Sequence, residues 1–441
     1  MKNFLLSITI LLLLYGCKET SEHAPVLITT QEKQPIYIVN KNRHLKMAAF
    51  WIDQLPNPDK VIMDLEEIKR VNQKTALIQH RLTRFEDTAP KYRASWIKKS
   101  ILHALDSLRK TAHYFEDGNR IEDHFFEESK NYMQLNALQQ KSVTTRYALT
   151  VNYTNQRIIP TELSLLKKPK QIYFDRNQNS ALDIATPLVI LHTTTDGLWH
   201  YAIAPTSSGW IKDSDIAFGD KASIQSYLES KQFIITTQPK TALNIGGEYH
   251  DYLRMGVRLP VVMTIDEMSM VLVPTRDKEG QLIFSKGTLR TDHTHRGYLP
   301  YTARNILNQA FKFLNTPYGW GGMYGEQDCS KFIQEIYATT GLMVPRNSSA
   351  QANMNVPIVH LENLSVEQKR ERISQLPIGV TLLHLSGHIM LYVGTYKGEP
   401  YIIHTVWGSA PDYFALGRTA VTAVSFNDYI KQIDQATTIQ E

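Results

Sequence analysis

Hydrophobic and polar positions change their period twice along this chain. From about residue 45 to 140 the apolar residues recur at helix spacing. Asp64-Leu65-Glu66-Glu67 reads as a capping box opening a helix with Leu65, Ile68 and Val71 near one face. Trp96, Ile97, Ile101, Leu102, Leu105 and Leu108 continue the pattern, and the charged and histidine positions between them read as a solvated face without chemistry. From about 146 the period shortens to that of strands. Thr150–Tyr153, Leu188–His192, Trp199–Ile203 and Gly209–Ile211 are candidates, with Asp196-Gly197 as a turn between two of them. A second run of strands covers about 223–297 and includes Pro260–Met263, Met270–Pro274 and Leu282–Phe284. Together these predict two successive small barrels with no close sequence repeat. Beyond 298 both periods mix. Thr302 can cap a helix carrying Ile306, Leu307, Ala310, Phe311 and Leu314, which stops before Pro317.

Ahead of the helical segment lies a different pattern. Lys2 precedes an apolar run from Phe4 to Leu14, which ends in Leu14-Tyr15-Gly16-Cys17 and turns polar at Lys18. A charged start, a short apolar stretch and a small residue before the break make an export signal, too short for a comfortable transmembrane helix. The cysteine after the small residue resembles a bacterial lipobox. That resemblance implies a diacylated Cys17 as the new N-terminus of an exported lipoprotein, held in the cell envelope by its lipid alone. It leaves open which membrane and which face.

Composition narrows the function. The chain has 441 residues, 42% hydrophobic and 21% charged, enough for several folded domains. The formal net charge of +5 comes without a long Lys/Arg run, so a nucleic-acid groove is not expected. Mild basicity is compatible with an anionic envelope polymer. The only two cysteines, Cys17 and Cys329, stand far apart, which does not describe a disulfide framework. Each needs its own explanation.

Cys329 opens an amphipathic pattern with Phe332, Ile333, Ile336 and Tyr337, and Gly341 and Pro345 close it. It therefore falls in the first turn of a predicted helix, where unpaired N–H groups and the dipole favour a thiolate. Gly387–Gly394 reads as a strand, Thr395–Glu399 as a turn and Pro400–Val406 as the returning strand. A hairpin centred near Tyr396 would set His388 opposite His404, their Cβ atoms about 5 Å apart. A general base and its orienting partner stand in that relation. Zinc is the competing reading, with Cys329, His384, His388 and His404 as ligands. No tight Cys-x-x-Cys or His-Glu-x-x-His spacing supports it.

Four segments stand in the order of a known family: Tyr318-Gly319-Trp320-Gly321-Gly322, Asp328-Cys329-Ser330-Lys331-Phe332, Val344-Pro345-Arg346-Asn347-Ser348 and His388–Gly394. The C-terminal 140 or so residues resemble the NlpC/P60 family of papain-like cell-wall cysteine peptidases. Asp196–Trp199 with Gly209–Ile211 resembles bacterial SH3-like domains. The resemblance implies Cys329 as nucleophile, His388 as base, His404 as third polar member and Tyr318 beside the oxyanion site. It implies Asp328, Ser330 and Ser348 at positions that hold the substrate peptide, and no cofactor. Lys331, Asn347 and Met390 depart from the family's usual residues, and Gly379-Val380-Thr381 replaces its usual Gly-Asp.

The expected architecture is multidomain α+β: signal peptide 1–16, lipidated cysteine and linker 17–44, helical segment 45–145, SH3-like domains 146–222 and 223–297, and a papain-like peptidase domain 298–441. That order resembles γ-D-glutamyl-L-diamino acid endopeptidases. It implies cleavage of peptidoglycan stem peptides, in particular muropeptides with a free N-terminal L-Ala, by a monomer. An amidase or acyltransferase of the same superfamily, or an inactive wall-binding lipoprotein, are the alternatives.

Overall fold

A computed structural model describes residues 42–79, 82–407 and 417–441. The export signal and Cys17 lie outside the described residues. No described helix is long and apolar enough to cross a membrane.

The capping box forms as read. The Glu67 N–H donates to Asp64 Oδ1 at 2.9 Å and the Asp64 N–H to Glu67 Oε2 at 2.7 Å, opening the helix Leu65–Gln79. Its inward face is Ile68, Val71 and Thr75, whereas Leu65, at the first helical position, is exposed. Trp96 is likewise exposed: the buried stripe of the helix Ala94–Arg109 is Ala94, Ile97, Ile101, Leu105 and Leu108.

The helical segment has no core of its own. Leu45, Trp51, Ile52, Met63, Ile68 and Val71 pack into one cluster with Phe332, Ile333, Ile336 and Tyr337 of the C-terminal region. Ile97, Ile101, Leu105, Leu108, Phe126 and Met133 pack instead on Val189, Leu191, Trp199 and Trp210. An amphipathic helix buries its stripe on whatever surface completes it, and here two different surfaces do so.

Two seven-stranded antiparallel sheets follow. The first runs, in spatial order, Gln178–Leu182, Thr154–Arg157, Ser208–Lys212, Trp199–Ile203, Pro187–Thr193, Arg146–Thr150 and Ile216–Gly219. Residues 150–153, read as one strand, instead straddle the break between two. The second sheet contains Arg258–Ile265, Met268–Arg276 and Leu282–Arg290, and its core of Leu243, Leu253, Leu259, Val271, Val273 and Leu289 also takes in Leu149, Ile184 and Ala185 of the first β-domain.

The C-terminal sheet has six strands in the order Ile358–His360, Gln435–Thr438, Thr381–Leu385, His388–Tyr396, Glu399–Val406 and Arg418–Ala423. One face meets the helices Ala303–Lys312 and Cys329–Ala338 through Leu382, Ile389, Leu391, Val393 and Ile403. The other buries Leu383, Leu385, Met390, Tyr392 and Ile402. Thr302 accepts from the Asn305 N–H at 3.2 Å and caps the first of these helices. The fold is α+β: a helical N-terminal segment, two small β-domains and a papain-like domain.

One irregularity sets the site. The hairpin after His388 turns through Lys397 and Gly398, both at positive φ (53° and 76°), the two-residue type that matches strand twist. That turn pairs Tyr396 with Glu399 and Gly394 with Tyr401. Continued unbroken, the register would place His388 and His404 on opposite faces, because successive side chains alternate. A bulge at Val393 inserts one extra residue, so that Leu391 pairs with Ile403. His404 then falls on the face of His388, two positions along rather than directly opposite. Gly394, at φ 138°, leaves room for Trp51, whose ring would lie 2.8 Å from any added Cβ.

Candidate active site

The helix Cys329–Ala338 begins at Asp328, whose carboxylate caps it by accepting from the Lys331 N–H at 2.8 Å. Four further bonds saturate that carboxylate. The Gly321 N–H donates at 3.0 Å, Ser330 Oγ at 3.0 Å, and the Arg346 fork at 3.1 and 2.7 Å. Burial pushes the Asp328 carboxyl up, but the Arg346 guanidinium and these donors outweigh it and hold the group below its usual range. Arg346 also donates to Ser330 Oγ at 2.8 Å and, through Nε, to Ser180 Oγ of the first barrel at 2.9 Å. The sequence reading gave Arg346 no role. Its partner is distant in sequence, and only the fold brings the two together.

The glycine-rich loop before the helix is pressed by that barrel. Gly321 and Gly322 sit at φ 63° and 88°, and Cβ atoms there would come within 2.5 Å of Gln178 and 2.8 Å of Ala181. Gln178 Nε2 donates to the Gly321 carbonyl at 3.2 Å and Tyr153 Oη to the Gly322 carbonyl at 2.5 Å. Phe174 packs edge-on to Trp320 and lies 6.1 Å from the Tyr318 ring, so barrel and loop share one aromatic cluster.

Cys329 is nearly buried, and the N–H groups of Ser330 and of Ile389, next to His388, point at its sulfur. His388 Nε2 lies 2.8 Å from His404 Nδ1, and His404 Nε2 lies 3.0 Å from Thr422 Oγ1. For His388 to accept a proton at Nδ1, its Nε2–H must donate to His404 Nδ1, and the His404 Nε2–H must donate to Thr422 Oγ1. His388 Nδ1 has no hydrogen-bond partner among the described residues. Thr422 was missed in the sequence because nothing local marks a threonine two strands away.

The expected thiolate is not what the environment favours. Burial, reinforced by the Asp328 charge, pushes the Cys329 thiol up to about 12. Burial, with His384 adding to it, pushes His388 down to about 4. Burial also drives His404 well below the usual histidine range. Helix-end N–H groups do favour an anion, but desolvation of a covered sulfur outweighs them. Both directions favour a protonated thiol and a neutral imidazole, the pair on which general-base activation at the moment of attack would act. Alkylation of Cys329 by a small thiol reagent is therefore expected to accelerate into the alkaline range. A rate already at its plateau near pH 6 would indicate a preformed thiolate–imidazolium pair.

Tyr318, Cys329, Asp328, Ser330 and Ser348 line one cleft of about 670 Å³. Its other wall comes from Gln178, Asn179 and Ser207–Gly209 of the first barrel and from Ser100, His103 and Ala104 of the N-terminal helix. That helix was read as carrying no chemistry, because the side of it that meets the cleft looks in sequence like any polar face.

Three departures from the family pattern find places. Lys331 turns to Asp183 of the first barrel, 4.0 Å away. Asn347 caps the short helix Ser348–Ala352, accepting from the Ala350 N–H at 2.8 Å. Met390 is buried on the far face of the sheet. His384 belongs to the strand Thr381–Leu385, not to that of His388, and its Nδ1 is 2.7 Å from Asp434 Oδ1. Among the described residues no group of three or more His, Cys, Asp or Glu side chains is arranged to hold a metal ion.

A family model described as NlpC/P60 family matches residues 315–410, and one described as SH3 domain, SH3b1 type, matches 165–212. Over 155 residues the chain is 26% identical to a gamma-D-glutamyl-L-lysine dipeptidyl-peptidase of Bacillus cereus, covering 34% of this chain and 44% of that protein. Over 111 residues it is 30% identical to a probable endopeptidase of Corynebacterium glutamicum, covering 25% and 46% respectively. The chain thus spans less than half the length of these curated relatives. A solved structure of an NlpC/P60 endopeptidase from Photobacterium damselae subsp. piscicida shares the fold, with a TM-score of 0.72 at 20% identity. That match covers 89% of this chain and 96% of the other. The C-terminal region of this chain is an NlpC/P60 domain, and an SH3 domain of the SH3b1 type precedes it.

Proposed function

We propose that this chain is a peptidoglycan cysteine endopeptidase that cleaves the amide between γ-D-glutamate and the diamino acid of stem peptides. The observation that carries the proposal is the Cys329 thiol lying against the strand of His388, with His404 and Thr422 behind that imidazole. The name of the Bacillus cereus relative supports the choice of bond.

In this reading His388 Nδ1 takes the thiol proton as sulfur attacks the γ-carbonyl carbon. The oxyanion forms beside Tyr318 and the Cys329 N–H. His388 then gives the proton to the departing amine, leaving a thioester that water hydrolyses by the same proton path. Asp328 and Ser330 act through Arg346, shaping the wall rather than offering free charge, while Ser348 offers its hydroxyl directly. The barrel and helix covering the cleft favour a free peptide, which fits muropeptides with a free N-terminal L-Ala. Export and tethering through Cys17 would place the enzyme in the envelope, where its substrate is.

Digestion of purified muropeptides with mass measurement of the products tests the proposal. L-Ala-γ-D-Glu and a peptide beginning with the diamino acid are expected. Release of an intact stem peptide from the sugar would instead indicate an amidase, and no product from any muropeptide would leave a wall-binding protein.

A further inference from the structure

We infer that the N-terminal helix Ala94–Arg109 forms a carboxylate-recognising wall of the substrate cleft, with His103 as its donor. The inference rests on the stem-peptide reading above.

Charge bookkeeping within the cleft leads to it. Asp328 and Arg346 both line the cleft, but they are fully engaged with each other. The phenol of Tyr201, also in the lining, donates to Ser208 Oγ at 3.4 Å. His103 lines the same cleft, is exposed to solvent, and its ring makes no hydrogen bond, ion pair or ring contact within the described residues. The helix is firmly held, since Ile97, Ile101 and Leu105 are buried on the barrel. The imidazole is thus presented from a rigid element, as a recognition group needs to be.

A γ-linked glutamyl residue keeps its α-carboxylate free beside the scissile bond, and the diamino acid keeps a carboxylate as well. An anion entering a covered cleft needs a donor there, because desolvation without one is costly. Arg346 is committed to Asp328. Trp320 Nε1 and Ser207 Oγ, also in the lining, lack hydrogen-bond partners among the described residues but are neutral; His103 is the uncommitted lining side chain that can carry positive charge. Two substrate carboxylates share this chemistry, so the test separates them.

Affinity is measured by calorimetry in the Cys329→Ala protein, which holds the peptide without turning it over, and KM and kcat in the otherwise native chain. The peptides are L-Ala-γ-D-Glu-diaminopimelate made as its C-terminal amide, so that one diaminopimelate carboxylate remains, and from it the α-amidated D-isoglutamine form, the form amidated at that remaining diaminopimelate carboxylate, and the doubly amidated form without carboxylates. His103→Ala is expected to weaken binding and raise KM about tenfold with kcat nearly unchanged, the worth of one hydrogen bond to a charged group. His103→Lys should stay near the native value, and His103→Glu should weaken binding further. Amidating the recognised carboxylate should flatten the series, naming which group it is. Equal affinities across the four proteins, or a trend that survives in the doubly amidated peptide, would overturn the inference. Cleavage without a His103 trend sinks this inference alone. A binding trend without cleavage by the native chain sinks the hydrolase reading alone, and neither binding nor cleavage sinks both.

Discussion

Cys329→Ala is expected to lower stem-peptide hydrolysis by about four to six powers of ten, the scale on which a covalent nucleophile is lost. The fold should survive. The side chain is small, it sits at the edge of a large apolar cluster, and the helix cap belongs to Asp328. His388→Ala should be as damaging, since a protonated buried thiol needs a base to become reactive. His404→Ala should retain more activity, because it orients His388 rather than touching the reacting atoms. Rates on one defined peptide, with circular dichroism of each variant, check the series. Native activity in Cys329→Ala would end the assignment.

Arg346→Ala is expected to destabilise the protein by about 3–5 kcal/mol, the cost of stranding one partner of a buried ion pair. Both residues are essentially enclosed, with side chains 10% exposed. The loss also removes the bond to Ser180, so the barrel should loosen from the helix start. In the native protein the lowered Asp328 carboxyl contributes stability above its unfolded value, and that contribution is lost as pH falls through the folded one. Without Arg346 the sign reverses: burial then favours the acid, and stability should rise as pH falls. Arg346→Lys keeps a charge but not the fork and should recover only part. Urea denaturation at pH 3, pH 5 and pH 8 reads all of this, the native loss below the ordinary carboxylate range and the variant's reversal above it. Unchanged midpoints would show that the pair contributes nothing.

Much of this was legible because it is local. The helix from Cys329, the Thr302 helix with its cap and the paired histidine strands follow from spacing alone, whereas Asp328, expected to hold substrate, turns out to cap the Cys329 helix. What escaped depended on distance. Leu65 and Trp96 fit a helical stripe by count, but the surfaces that select the stripe come from other domains. The helix end that favours a thiolate is visible in sequence, while the burial that opposes it is not. Arg346 sat inside a recognised motif, yet its meaning lay in Asp328 and Ser180. His103 looked like a solvated residue because no sequence pattern says what a polar face will confront. Histidine pairing was anticipated, but from a register two residues away from the actual one.

That last difference has a corollary for how this hairpin tolerates change. His388 and His404 meet only because the count of residues between them has the right parity, and Val393 supplies the odd one. Drift in loop length here is therefore quantised: pairs of residues can come or go, whereas one alone turns the imidazoles back to back. Trp51, lodged against Gly394, occupies the notch the extra residue creates. A tryptophan far upstream thus acts as a wedge that keeps the tally, tying the chain's first helices to the chemistry of its last sheet.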